Sequence, residues 1–415
     1  MADSLKLAVI GMGHRASSLI AHFRQLAAGF QLVAVADVDI NTARERTKAA
    51  GIDDSLVRFF ANENELFEHS LEFDGIVIAS NCNVHTPLAV KVASTGLPVF
   101  LEKPVSVSYE QAAQLRNAYR GREKSVVVSF PLRRTPLFES AMEVVESGIL
   151  GTVNQVQAVN NVPYGWVYYS RTSYREYSKT LGLWLQKASH DFDYLNQVLG
   201  RPKAVTAMMS RTVYGGDMPH DLWCSACELS DSCLESPSSM ERTGNIRGAS
   251  EGDHLCVFGS EILHQDAGSA IVQYEQGAHA AYSQNFVSRR GAARRGAVIT
   301  GYKATLSFDW YKNALTVIHH HSDRVDHVEI ERGSEHMGGD EALVRNFADV
   351  CLGRDESRSD LTAGLVSVAM CLAARESAHR MAWMPVPNVE SGDFPYGPAT
   401  LPSTRSNLEP IPSLS

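Results

Sequence analysis

Cysteine is scarce and unevenly spread: the chain has 7 in 415 residues, and Cys224, Cys227, Cys233 and Cys256 fall in one short stretch. That distribution excludes a small secreted disulfide scaffold and suits a reducing, cytoplasmic setting. Positive charge is also in deficit. A formal net charge of −9 leaves no basic face for a phosphate backbone, which excludes nucleic acid as the partner. Long apolar runs are missing: no stretch reaches the ~18 residues of a membrane-crossing helix. The opening Met1-Ala-Asp-Ser-Leu-Lys6 carries no basic region ahead of an apolar core. No segment repeats. What is present is an ordinary globular composition, 44% hydrophobic and 20% charged, in a chain long enough for two domains. A cytoplasmic protein with no membrane partner is the expectation.

From residue 5 to about 130, short β-rich runs alternate with amphipathic stretches. Strands are expected at Lys6–Ile10, Leu32–Ala36, Gly75–Ala79, Val99–Leu101 and Ser125–Phe130, and helices near 15–28, 41–50, 63–69, 86–95 and 108–120. Such βαβ repetition builds a doubly wound parallel sheet with helices on both faces, and ligands then lie beyond the carboxyl ends of its strands. After about 150 longer strand-like segments follow with few helices between them: Val153–Asn160, Lys203–Arg211, Ser269–Tyr274, His279–Phe286, Arg295–Gly301, Ala304–Phe308 and Leu315–His319. These predict an α+β domain with an open, mostly antiparallel sheet, and helices near 340–352 and 362–382 return to cover the first domain. The fold class is therefore α/β, with an N-terminal Rossmann domain over 1–130 and a substrate and oligomerisation domain over 131–385. A cysteine-rich insertion sits at about 214–256, and a Pro/Ser-rich arm or tail fills 386–415. An open sheet face would be a natural surface for a homodimer or homotetramer.

The first strand runs into Gly11-Met12-Gly13-His14-Arg15-Ala16, and the second ends on Asp37. Gly11 permits a tight turn, Gly13 lets the backbone approach a pyrophosphate, and Ala16 lets the helix pack close, so that its N-terminal N–H groups face phosphate. Asp37 stands where a carboxylate accepts hydrogen bonds from ribose hydroxyls, which favours NAD over NADP. Arg15, Arg44 and Arg46 weaken that preference, because a guanidinium could offset the repulsion of a 2′-phosphate. The strand, turn, helix and acid occur in the required order, which makes cofactor binding the reading over a bare glycine turn.

The expected strand Val99–Leu101 runs into Glu102-Lys103-Pro104. A lysine before proline is by itself a turn, but the carboxyl end of a strand in a cofactor domain is where a nicotinamide ring lies. Here the chain resembles the Gfo/Idh/MocA family of NAD(P)-dependent oxidoreductases. The matching elements are the Gly11–Ala16 turn, Asp37, Ile78-Ala-Ser80-Asn81-Cys-Asn-Val-His85, Glu102-Lys103-Pro104, Ser129-Phe-Pro-Leu-Arg133, His190-Asp191-Phe-Asp193, Val298–Leu306 and Gly338-Gly339-Asp340. The resemblance covers roughly 5–382. It implies a Rossmann domain, a C-terminal α/β domain with an open sheet, and chemistry on a sugar, polyol or related secondary alcohol. It also implies that Ser80, Asn81, His85, Glu102 and Lys103 join Gly11, Met12, Gly13, His14, Arg15 and Asp37 around the cofactor.

Hydride transfer from a carbinol carbon requires a base for the hydroxyl proton. Gln186-Lys187-Ala-Ser-His190-Asp191-Phe-Asp193-Tyr194 supplies candidates. On a helix Lys187, His190, Asp191 and Tyr194 share one face, and Ala188, Phe192, Leu195 and Leu199 form the buried stripe. The bland alternative is a solvated polar face. The resemblance implies His190 as general base and Asp193 as a substrate contact, with Asp191 beside it. Many relatives carry an aspartate where this chain has Gln186, which cannot take a proton. Lys187 and His190 therefore stand as joint acid–base candidates, and the Lys103 ammonium could stabilise a developing alkoxide.

Between residues 163 and 177 lie five tyrosines, one tryptophan and two arginines. Tyr164, Trp166 and Tyr174 suit a carbohydrate pocket, while Arg171 and Arg175 suit an anionic group on the substrate. The alternative is an ordinary aromatic strand edge. Cys224, Cys227, Cys233 and Cys256 suit structural zinc, with iron–sulfur ligation and free thiols as alternatives. Three functions follow: an NAD-dependent dehydrogenase of a sugar, sugar acid or glycoside; a glycosidase that uses transient oxidation with no net NADH; and a silent NAD-bound sensor.

Overall fold

A computed structural model describes residues 4–26, 29–69, 71–242, 252–330 and 335–395. The first domain is a six-stranded sheet in the order β3-β2-β1-β4-β5-β6, parallel throughout. Its strands are β1 (Lys6–Ile10), β2 (Gln31–Ala36), β3 (Arg58–Phe60), β4 (Gly75–Ile78), β5 (Val99–Leu101) and β6 (Val126–Val128). Their runs of Val, Ile, Leu and Ala are buried on both sides because helices cover both faces. The order turns back between β1 and β4, the switch point beyond whose strand ends such sheets place their ligands. The three-residue β3 was not expected: Arg58-Phe-Phe60 is too short to show a period.

The second sheet has nine strands in the order β14-β13-β12-β11-β7-β10-β9-β8-β15. They are β7 (Val153–Asn161), β8 (Pro202–Ser210), β9 (Ala267–Tyr274), β10 (His279–Asn285), β11 (Arg294–Gly301), β12 (Ala304–Asp309), β13 (Ala314–His319), β14 (Val325–Val328) and β15 (Met384–Pro385). All neighbours are antiparallel except β7 and β10. Burial alternates strictly along β9, so one face is packed and the other is open, with Met208, Ile271 and Ile318 exposed on the sheet's strands.

Two helices cover the packed face, Ser189–Leu199 and Leu361–Arg380. The latter also packs on the first domain, against β6 and the helix Tyr109–Ala118. By length and composition it could cross a membrane, yet 67% of its most apolar window is buried inside the protein, as in a core helix. Beyond β15 the chain straps back onto the first domain, where Phe394 is buried with its ring 6.4 Å from that of Tyr109. The Pro/Ser-rich stretch expected over 386–415 is therefore an arm as far as 395, and its remainder lies outside the described residues.

Candidate active site

At the end of β1, Gly11 takes φ +88°, and a Cβ there would lie 2.8 Å from the backbone of Ser80, so only glycine fits. A Cβ on Gly13 would meet nothing closer than 3.9 Å, which leaves an open approach over the turn. His14 then begins the helix His14–Leu26. Asp37 closes the lip: one carboxylate oxygen accepts from the Met12 N–H at 2.7 Å and the other from the Asp39 N–H at 2.9 Å. This open cradle at a helix N-terminus, with a fixed carboxylate where a ribose would sit, fits a dinucleotide. Arg46 donates to the Met12 carbonyl at 3.3 Å, while Arg44 pairs with Asp54 and lies over the Phe59 ring.

Three residues expected at the cofactor are turned to other work. Arg15 forks onto Asp340 at 2.6 and 2.7 Å and donates to Glu102 at 2.7 Å, so its guanidinium ties the first helix to β5 and to the helix Gly339–Cys351. Glu102 is consumed in that cluster. Burial opposes its ionisation, but Arg15 and Lys103 outweigh burial and hold its pKa below the ordinary value. His85 is fully buried between the carbonyls of Pro104 at 2.8 Å and Ser80 at 3.0 Å, and burial lowers its pKa. It braces the crevice from behind. Ser80 and Asn81 remain on the rim.

Lys103 follows β5, and its Nζ donates to the Gln186 carbonyl of the second domain at 2.8 Å. Burial lowers its pKa to about 8; Glu102 opposes this fall and Lys187 adds to it. Residues Trp184–Ala188 wind as a π-helix before the regular helix begins at Ser189, a local widening often found where function requires a re-aimed side chain. From that turn the Lys187 Nζ donates to the Tyr164 hydroxyl at 2.7 Å and lies 4.9 Å from the centre of its ring. Burial lowers the Lys187 pKa, Tyr164 opposes, and Arg295 adds to the fall. Among the described residues no carboxylate lies within ion-pair distance of either lysine. The His190 ring stands edge-on to Phe130 at 5.9 Å.

The face expected to carry Lys187, His190, Asp191 and Tyr194 is buried, so the alternative of a solvated polar face does not apply. Asp191 accepts from Asn160 at 2.8 Å, Tyr282 at 2.8 Å and Arg295 at 2.9 Å, which leaves it no substrate contact. Asp193 is held by a bidentate contact from Arg133, beside a separate crevice of about 270 Å³ reached by the arm at Val389. Tyr194 packs among Phe138, Phe308 and Trp310.

The aromatic segment divides. Gly165 must be glycine, since a Cβ would fall 1.9 Å from the Phe286 carbonyl; its neighbour Tyr164 is partly buried with its hydroxyl on the Lys187 Nζ. Trp166 goes the other way, buried against His254 at 4.8 Å between ring centres. Arg175 follows it, fully buried and donating to the ring and carbonyl of His220, so it offers no guanidinium to the cleft. Tyr174 stays beside Tyr168 at 5.3 Å. Arg171 stands at the glycine-turn end, where its charge reaches His14; burial first, then Arg46 and Arg171, lower the pKa of that histidine.

Arg295, Tyr282 and Asn160 carry no motif that singles them out. Asp340 does have a signal in Gly338-Gly339-Asp340, because a Cβ on Gly339 would strike the Pro131 carbonyl at 2.0 Å. The zinc expectation finds no support among the described residues. Among the described residues no three of His, Cys, Asp or Glu gather as metal ligands, and all seven cysteines are free. Trp223 bridges Leu255, and Cys224 and Cys256 are buried beside that bridge; burial pushes the Cys224 thiol up to about 12.

A dinucleotide cradle that ends on the half-buried Lys103 and the buried Lys187 at a domain junction defines an oxidoreductase class. Residues 5–130 match the model of the GFO/IDH/MocA oxidoreductase family with its NAD-binding Rossmann fold, and residues 138–307 match the GFO/IDH/MocA C-terminal domain. The chain belongs to this family of oxidoreductases. It is 25% identical to the putative oxidoreductase YteT of Bacillus subtilis over 74% of this chain and 79% of that one. It is 24% identical to a myo-inositol 2-dehydrogenase of Thermotoga maritima, over 47% of this chain and 55% of that protein. Among solved structures, levoglucosan dehydrogenase in complex with NADH and levoglucosan aligns with a TM-score of 0.74 and 15% identity over 93% of this chain and all of that one. The WlbA dehydrogenase of Bordetella pertussis, in complex with NADH and UDP-GlcNAcA, aligns at 0.67 with 18% identity over 93% and 100%. These two likenesses show the shared fold.

Proposed function

We propose that this protein oxidises a secondary hydroxyl of a sugar, sugar acid or glycoside with NAD as hydride acceptor. One observation carries the reading: Lys103, at the carboxyl end of β5, reaches across to the Gln186 carbonyl, so the cofactor domain and the Lys187–Tyr164 pair meet at one point. Bound NAD would supply the two-electron acceptor. Asp37 and the Gly11–His14 turn would hold it, and a charged Lys103 would stabilise the developing alkoxide. Lys187 or His190 would receive the hydroxyl proton. Arg171, whose charge reaches His14 at the turn end, supports an anionic group on the substrate or on the dinucleotide; Tyr164 and Tyr174 support a carbohydrate beside it. The open sheet face supports a homodimer or homotetramer, and the cytoplasm is the fitting compartment.

The test is a panel of levoglucosan, myo-inositol, glucuronate, and aryl glucosides and glucuronides, with the absorbance of reduced nicotinamide followed beside aglycone release. NADH accumulation supports the dehydrogenase. Aglycone release without net NADH replaces it with the redox glycosidase, and silence toward every compound with NADH still bound replaces both with a sensor.

A further inference from the structure

We propose that Tyr164 is the group that takes the proton from the substrate hydroxyl and that Lys187 receives Tyr164's own proton in turn. The inference rests on the dehydrogenase reading and adds a relay to it. The hydroxyl of Tyr164 and the Nζ of Lys187 are 2.7 Å apart, the separation of a direct hydrogen bond. The two ends differ in access: Lys187 is 5% exposed, whereas Tyr164 is only partly buried. The lysine is the better proton store and the tyrosine the better-placed contact.

The charges around the pair favour a neutral amine. Arg295 faces both Lys187 and Tyr164, and Lys103 faces Lys187. Asp191, a carboxylate that faces Lys187, is already bound by Arg295. Tyr168 and Tyr174 border Tyr164, and burial raises the pKa of both. An amine lone pair at Lys187 can accept the phenol proton while the phenol oxygen accepts the carbinol proton. The step balances: the carbinol C–H leaves as hydride to NAD, its O–H proton goes to Tyr164 Oη, and the Tyr164 proton crosses to Lys187, which becomes an ammonium and later releases a proton to water.

The experiment uses the panel compound with the highest turnover and the variants Tyr164→Phe, Lys187→Gln and the double variant. Each single change is expected to lower kcat by about 100-fold, with KM shifted less than about threefold. Because one relay is broken either way, the double variant should lose no more than each single one. Losses that multiply, or a Tyr164→Phe enzyme within about threefold of wild type, overturn the relay. NADH binding, measured by fluorescence, should be unchanged in all three. If NADH does not bind the wild type, the dehydrogenase reading fails, and that failure is separate. Should Tyr164→Phe not fold, the Lys187→Gln pH profile decides. Wild-type kcat rises with pH as Lys187 loses its proton, and the variant must lack that rising limb for the relay to stand.

Discussion

Arg15 and Asp340 lie 325 residues apart in the chain and meet in a two-point contact of 2.6 and 2.7 Å. Asp340 is fully buried, and the Arg15 side chain is a quarter exposed. The pair joins the first helix of the cofactor cradle to a helix contributed by the C-terminal part of the chain. Removing Asp340 leaves a mostly desolvated cation beside Glu102 and Ser129, without its two-point counter-ion. Asp340→Ala is expected to cost about 3 kcal/mol in chemical denaturation, the low end for a broken buried pair. A loss under about 0.5 kcal/mol would show that the contact does not carry this joint.

Lys103 has its pKa lowered to about 8 by burial, with Glu102 opposing and Lys187 reinforcing. The fold disfavours its charged form, so below pH 8 the whole penalty is present. Between pH 8 and about 10.5 the unfolded chain holds more protons than the folded one, and this group's contribution to stability rises with pH. Lys103→Met should therefore be more stable than wild type at pH 7, by up to ~3 kcal/mol, and the difference should shrink by pH 10. Paired denaturation curves at the two pH values cancel the other titrating groups, and a difference that does not change with pH would refute this account.

Asp191 and Arg295 are both buried, and their Oδ1–Nε contact is 2.9 Å. Asp191→Asn leaves the arginine charge without its counter-ion and is expected to destabilise the protein by about 3–5 kcal/mol. Asp191→Asn with Arg295→Met removes both charges and should recover most of that loss. If the double variant is as unstable as the single one, packing and not charge is what the pair provides.

Asp37, proposed above to hold the adenosine ribose, has both oxygens already oriented by backbone N–H groups. Asp37→Ser should weaken NADH binding by roughly tenfold, about 1.4 kcal/mol, and narrow the gap to NADPH, with Arg46 available to meet a 2′-phosphate. Fluorescence titration with the two dinucleotides reads both effects, and an unchanged NADH to NADPH ratio would place the selectivity elsewhere.

The strands announced themselves where burial imposes a pattern: Leu7–Ile10 and Gly75–Ile78 are continuous apolar runs because both faces of their sheet are covered. β14 did not, since Val325-Asp-His-Val328 is a short exposed edge with polar residues at its centre. The cradle could be read because Gly11 and Asp37 are demanded by local geometry. Asp191 and Trp166 could not, because their residue types suit a ligand pocket and a satisfied interior equally well. Their destinations were decided by Arg295 and His254, which lie far along the chain. The π-turn at Trp184–Ala188 shifts Lys187 off the regular helical wheel that the spacing assumed.

Lys103 is anchored by the main chain at position 186 and not by the side chain there. An amide oxygen on the backbone is the same whatever residue carries it, so the anchor tolerates any substitution that keeps the turn intact. A lineage could thus have traded an acid for Gln186 without displacing its amine, and the identity of residue 186 becomes a free dial for tuning reactivity.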